Sequence, residues 1–167
     1  MKHNRGLLAS LLFPLLAALV VAADFATKSL VRANMVLGQS IPPDGRFRLT
    51  HLTNTGSVFG LPIPSTFLMI LTIIEIIAII WVYFRYLSGS GALVRTGLGL
   101  VLGGAIGNLI DRIRFGQVTD FLDVRLWGDF HWPSFNIADA SITVGVIILV
   151  LCVLTMAWQA QSASSDG

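Results

Sequence analysis

Four long apolar runs, separated by segments in which polar and apolar positions mix, organise this chain. The first run, residues 7–23, follows a short basic start that contains Lys2 and Arg5. A charged start before an apolar run is the layout of a signal peptide, and Val21-Ala22-Ala23 has the small residues of a cleavage site. The run is longer than the roughly 7–15 residues of a signal core and nearly long enough to span a bilayer, so it is read as a membrane helix that stays. The other runs predict helices over about residues 66–86, 92–110 and 137–158. The third is rich in glycine (Gly97, Gly99, Gly103, Gly104, Gly107), as suits a membrane helix packed closely against its neighbours. Glu75 interrupts the second, and is expected to turn into the bundle and find a polar partner.

Residues 24–65 have a different texture. Pro42-Pro43-Asp44-Gly45 is a turn signal. Residues 46–53 then alternate in part between polar and apolar, which predicts a strand. Asn54-Thr-Gly-Ser-Val-Phe-Gly60 follows, and Pro62 and Pro64 close the segment. The expectation is a small sheet lying on the membrane. The final QAQSASSDG is polar and predicts a disordered tail. The N-terminal tail and the loop from Arg85 to Arg95 are basic and free of acids, so the positive-inside tendency puts them in the cytoplasm. Residues 24–65 and 111–136 then share the opposite face.

Composition agrees with this layout. Hydrophobic residues make up 54% of the 167 and charged residues 12%, with a mean hydropathy of +0.79; soluble domains carry roughly 25% charged residues. So many apolar groups exceed what a small soluble core can hide. The length suits one domain, residues 1–167. A net charge of +2 without a basic run argues against nucleic acid. A single cysteine, Cys152, excludes a disulfide within the chain. His3, His51 and His131 are scattered, with no metal spacing, and no cofactor is called.

The chemistry concentrates in residues 103–139, which hold five of the nine acids: Asp111, Asp120, Asp123, Asp129 and Asp139. Asp120 sits among apolar neighbours, and Asp139 opens an apolar helix, so both lie near the membrane boundary on one face. Two adjacent carboxylates cannot both ionise easily, and one keeps a proton. Such a pair can activate water with one member and protonate the leaving group with the other. The start of a helix favours the ionised form, which makes Asp139 the expected carboxylate, and burial makes Asp120 the expected acid. Asp123 and Asp129 read as loop charges. Asp24 and Lys28, four apart, predict an interfacial salt bridge. Asn54 and Gly56 suit a turn or a grip on a substrate backbone. Asn108, Asp111 and Arg112 close the third helix, where Asp111 and Arg112 can pair or Arg112 can hold a carboxylate or phosphate. An ion path through Glu75, or a phosphotransferase holding magnesium on its aspartates, would use some of the same residues.

Taken together, Asp24-Phe-Ala-Thr-Lys28, the Asn54–Gly60 segment, Gly103-Gly-Ala-Ile-Gly-Asn108 with Asp111-Arg112, Gly116-Gln-Val-Thr-Asp120-Phe and Phe135-Asn-Ile-Ala-Asp139 resemble the bacterial lipoprotein signal peptidases, or signal peptidase II. Ser57-Val58 departs mildly from the alanine-like residues usual in the second motif. The resemblance implies a membrane α-helical fold with four transmembrane helices and a small extracytoplasmic β-cradle, residues 24–65. It implies a multi-pass enzyme of the bacterial inner membrane that cleaves lipid-modified prolipoprotein before a diacylglyceryl cysteine. Its partners would be that substrate, membrane lipid and globomycin-type inhibitors. Carried over by motif, Asp120 and Asp139 are the catalytic pair, and Asp24, Lys28, Asn54, Gly56, Asn108, Asp111, Arg112 and Asn136 surround them.

Overall fold

In the computed structural model, residues 2–58, 61–128 and 130–165 are described, with side chains for 11–56, 63–128 and 130–163. Four helices carry the chain: α1 (Lys2–Asn34), α2 (Ser65–Val82, prolonged by a π-helical turn over Tyr83–Leu87), α3 (Ala92–Phe115) and α4 (Ile137–Ser165). Each contains an apolar span of 24, 23, 24 and 27 residues respectively. At a rise of about 1.5 Å per residue these reach about 35 to 40 Å, enough for a hydrocarbon core of about 30 Å. The order of the spans puts the 88–91 connection, the start of α1 and the end of α4 at one end of the bundle, and the strands among the described residues at the other.

Helix α3 is the axis. Its face of small residues is buried, while few residues of α2 and α4 are fully buried. Glycine decides how close its neighbours come. A Cβ on Gly107 would stand 2.7 Å from Asp24 Oδ2, so no larger residue leaves room for the carboxylate of α1 beside α3. Farther along, Phe13 stacks on Tyr83 with ring centroids 4.0 Å apart, and Leu98 and Leu102 pack against them.

At the opposite end lies a four-stranded antiparallel sheet in the order β1 (Ser40–Ile41), β2 (Phe47–Asn54), β5 (Val118–Trp127), β6 (Phe130–Phe135). A two-stranded ribbon, β3 (Ser57–Val58) with β4 (Leu61–Pro62), stands beside it. The sheet is therefore not a product of the 24–65 segment alone: half of its strands follow α3. In the β2–β5 register Leu52 faces Asp120 and Asn54 faces Val118. Strand β5 runs directly from the end of α3, and β6 runs directly into α4. The sheet thus closes over the same ends of the helices that it connects.

Four expectations change. Helix α1 runs to Asn34 instead of stopping near residue 23, because its polar residues 24, 28 and 32 lie on one stripe and find partners inside the protein. Helix α3 continues through Asp111 and Arg112 to Phe115, where the Gly116 N–H closes onto the Arg112 carbonyl. The polar C-terminal segment is helical to Ser165, since alanine and glutamine are good helix formers and extend a helix already nucleated in the apolar span. Glu75 does not turn into the bundle; it lies exposed on the outer surface of α2, which packs on α3 through Ile76 and Ile79.

Candidate active site

The polar stripe of α1 meets the end of α3 in a buried ionic cluster. Lys28 is fully buried. Its Nζ lies 2.7 Å from Asp24 Oδ2, donates to Asn108 Oδ1 at 2.9 Å, and lies 3.6 Å from Asp111 Oδ2. Asp24 and Lys28 are thus a pair, as their spacing predicts, but an interior one and not interfacial. Asp24 Oδ1 also accepts the Ala138 N–H at 2.9 Å, which fixes the first turn of α4 to α1. Burying an ammonium is costly unless it is paired and hydrogen-bonded; here two carboxylates and an amide oxygen do both.

Asn108 passes this order on. Because its Oδ1 accepts from Lys28, its Nδ2 faces the other way and donates to Asp139 Oδ1 at 2.8 Å. Asn136 holds the start of α4. Its Oδ1 accepts the Asp139 N–H at 2.9 Å, and its own N–H donates to Asp139 Oδ2 at 3.3 Å. This is the reciprocal bonding of a capping box, with asparagine and aspartate in the two roles. The same Asn136 amide donates through Nδ2 to Asp120 Oδ1 at 2.8 Å. One fully buried side chain therefore grips both aspartates. Asp120 comes from β5 and Asp139 from α4, and they are adjacent because β6 returns the chain to the end of the helix bundle.

Asp120 is 5% exposed. Its carboxyl is pushed up to about 7 by burial first and by the charge of Asp139 second, against the amides of Asn136 and Asn54 and the charge of Lys28. Near neutrality it is therefore able to hold a proton. Asn54 contributes in two directions. Its Oδ1 accepts the Gly56 N–H at 2.9 Å, closing a turn, and its side chain reaches Asp120. Gly56 has φ +114°, and a Cβ there would press on the Ile63 carbonyl, so the turn requires glycine. Arg112 is half-buried and within electrostatic range of Asp139, Asp120 and Asp111. Beside Asp139, a cleft of about 560 Å³ opens between β6 and α4, lined by Asn54, Trp132, Phe135, Thr143 and Val144.

All ten residues singled out by motif except Gly56 thus share one connected cluster, and Gly56 bonds to a member of it. Two expectations about acids need correction or fall outside. Asp123 is not a loop charge: it is a buried strand residue that takes hydrogen bonds from Arg48, Thr50 and His131. Burial alone would raise its pKa, but those bonds outweigh it and hold the carboxyl below its usual range. Asp129 lies outside the described residues. Glu75 lies on the outer surface of α2 and is not brought to this end of the bundle, so the aspartates and Glu75 form no common path. One residue with no part in the sequence reading joins the cluster: Arg32, bonded to Asp111 and Thr119. Its signal was the four-residue step from Asp24 to Lys28 carried one turn farther, which ending the helix at residue 23 removed.

The signal peptidase (SPase) II family matches residues 16–155. Among similar curated proteins, the lipoprotein signal peptidase of Moorella thermoacetica is 46% identical over 138 residues, covering 82% of this chain and 89% of that protein. That of Desulforapulum autotrophicum is 41% identical over 147 residues, covering 84% and 90%. A solved structure described as a bacterial membrane enzyme superposes with a TM-score of 0.75 at 34% identity, covering 84% of this chain and 90% of that one.

Proposed function

The chain belongs to the signal peptidase II family, and from that premise we propose how its residues do the work. The protein is a multi-pass membrane protease of aspartic type that removes the signal peptide from prolipoproteins. In our reading residues 1–167 form one peptidase domain, and Asp120 and Asp139 are the catalytic pair. The observation that carries it is Asn136 bridging the two aspartates, its side-chain amide on the Asp120 carboxyl and its backbone N–H on the Asp139 carboxyl. Asp139 takes a proton from water as its oxygen attacks the scissile carbonyl. Asp120, which can hold a proton near neutrality, donates it to the carbonyl oxygen. As the tetrahedral intermediate collapses and its C–N bond breaks, Asp120 takes that proton back and Asp139 passes the proton it took from water to the departing amine. Asn54 and the cleft beside Asp139 would hold the substrate backbone in line. A prolipoprotein whose diacylglyceryl chains stay in the bilayer brings its scissile bond to this plane, and that restriction supplies part of the orientation.

The test is cleavage of lipidated prolipoprotein by the purified protein in detergent, with and without a chelator. Conversion unaffected by the chelator and blocked by a globomycin-type cyclic peptide is expected. Loss of conversion on chelation would favour a metal-held mechanism.

Asn54→Ala is expected to lower turnover more than it lowers the unfolding temperature, because the cleft loses an amide while the turn loses one hydrogen bond, worth about 1 kcal/mol. Parallel losses would reduce Asn54 to a turn residue.

We place the enzyme in the bacterial inner membrane with the sheet and the dyad on the extracytoplasmic face. The basis is the acid-free basic loop from Arg85 to Arg95. A cysteine placed at Ser88 or Ser90, with Cys152 replaced, is expected to resist membrane-impermeant thiol reagents in intact cells. Labelling from outside would reverse the orientation.

A further inference from the structure

Arg32 lies one helical turn beyond Lys28 on α1. Its Nη1 donates to Asp111 Oδ1 and Oδ2 at 3.1 and 3.3 Å and to Thr119 Oγ1 at 2.8 Å. The guanidinium also sits 4.6 Å from the centroid of the Phe115 ring, and Nη2 reaches Ser29 Oγ at 3.3 Å. Asp111 Oδ2 in turn accepts the Thr119 N–H at 2.9 Å. One side chain therefore ties α1, the last turns of α3 and the start of β5 together. The tie falls on Thr119, the residue before Asp120, and the Thr119 carbonyl accepts from the same Asn136 amide that holds Asp120.

Arg32 also decides where Lys28 sits. Asp111 has two cations within reach, Arg32 at 3.1 Å and Lys28 at 3.6 Å. With Arg32 satisfying Asp111, Lys28 stays on Asn108, whose far end holds Asp139.

Resting on the peptidase reading above, we propose that Arg32 is a positioning residue for both members of the pair. It sets Asp120 through Thr119, and it sets Asp139 by leaving Lys28 to Asn108. It touches neither carboxyl of the pair.

The charges that face the pair make this measurable. Lys28 and Arg32 come from α1, Asp111 and Arg112 from α3, and Asp24 completes the cluster; β2 contributes only the neutral Asn54. Four carboxyls (Asp24, Asp111, Asp120, Asp139) thus meet three cations (Lys28, Arg32, Arg112), and the site is neutral when the pair shares one proton. Removing the Arg32 charge leaves a net negative site, and carboxyls in it give up protons less readily. The alkaline limb of the pH–rate profile then moves to higher pH.

The experiment compares wild type, Arg32→Gln and Arg32→Lys on lipidated prolipoprotein in detergent, reading kcat, KM, pH profile and Tm. Arg32→Gln is expected to lose about tenfold or more in kcat, as small misplacements of reacting groups do, with KM unchanged. Its alkaline limb is expected to rise by several tenths of a unit or more. Arg32→Lys keeps the charge, so its limb stays at the wild-type position. It recovers part of kcat, since an ammonium cannot reproduce the fork to Asp111 and Thr119. If Arg32→Gln does not fold, the Arg32→Lys kcat decides the matter: a value equal to wild type overturns the proposal. Folded Arg32→Gln with wild-type kcat, or with a lower Tm and an unmoved limb, overturns it too and leaves the peptidase reading intact. A wild type that fails to cleave overturns both.

Discussion

Asp120→Asn and Asp139→Asn are each expected to abolish cleavage of lipidated prolipoprotein while the protein still inserts and folds. Asparagine keeps the size of aspartate and an oxygen for the amides that grip it. Asn136 can still donate to an oxygen at position 120; at position 139 one oxygen remains for the two donors, Asn108 Nδ2 and the Asn136 N–H, so that variant loses one hydrogen bond, worth about 1 kcal/mol. What neither variant can do is exchange the proton. Each proton-transfer role is worth roughly 10² to 10⁴ in rate, so residual turnover should be at least a hundredfold below wild type, with Tm little changed. Substantial turnover by either variant would remove that residue from the mechanism. Asp123→Asn is an instructive contrast. It leaves the dyad intact but takes a charge from the bonds joining Arg48, Thr50 and His131, so stability falls while chemistry persists in the folded fraction. The pH profile carries the same assignment. Burial and the charge of Asp139 push the Asp120 carboxyl up to about 7. Activity that needs its proton is retained below that pH and falls as pH rises through it. A profile flat from pH 6 to 9 would contradict the acid role of Asp120.

Lys28→Met should cause the largest loss of stability of any single change in the cluster. The side chain is fully buried between Asp24 and Asp111, with Asn108 as its third partner. Methionine fills much of the volume but strands Asp24, which is 1% exposed. Breaking a buried pair by removing one partner costs about 3–5 kcal/mol. Thermal unfolding in detergent measures it. Asp24→Asn combined with Lys28→Met removes the stranded charge and is expected to recover part of the loss. Activity should fall in both, since Asn108 Oδ1 loses the closer of its two donors, Lys28 at 2.9 Å against Asn136 at 3.2 Å, and its Nδ2 is held less firmly toward Asp139. A Lys28→Met protein as stable as wild type would mean that the ion pairs contribute nothing net.

The sequence by itself determined the four spans and the membrane setting, and its motifs marked Asp120 and Asp139 as the candidate pair. Long apolar runs and five ordered motifs are local patterns, and they survive without coordinates. It also held the glycine face of α3, because small residues at helical spacing have one physical use in a lipid medium, which is close approach. Tertiary structure decided what the polar residues of the helices do. Asp24 and Lys28 read as an interfacial pair at the end of a membrane helix, since an isolated helix pays heavily to bury charge. Only when α3 and α4 bring Asn108, Asp111 and the Ala138 N–H alongside does the helix continue to Asn34 with those charges inside. Asp123 followed the same logic from the other direction: its partners Arg48 and His131 lie 75 and 8 residues away in sequence and meet it only through the registers of β2, β5 and β6. The dyad was nameable from the chain, but its geometry was not. Asp120 and Asp139 become a pair because β6 turns the chain back to the start of α4 and places Asn136 between them.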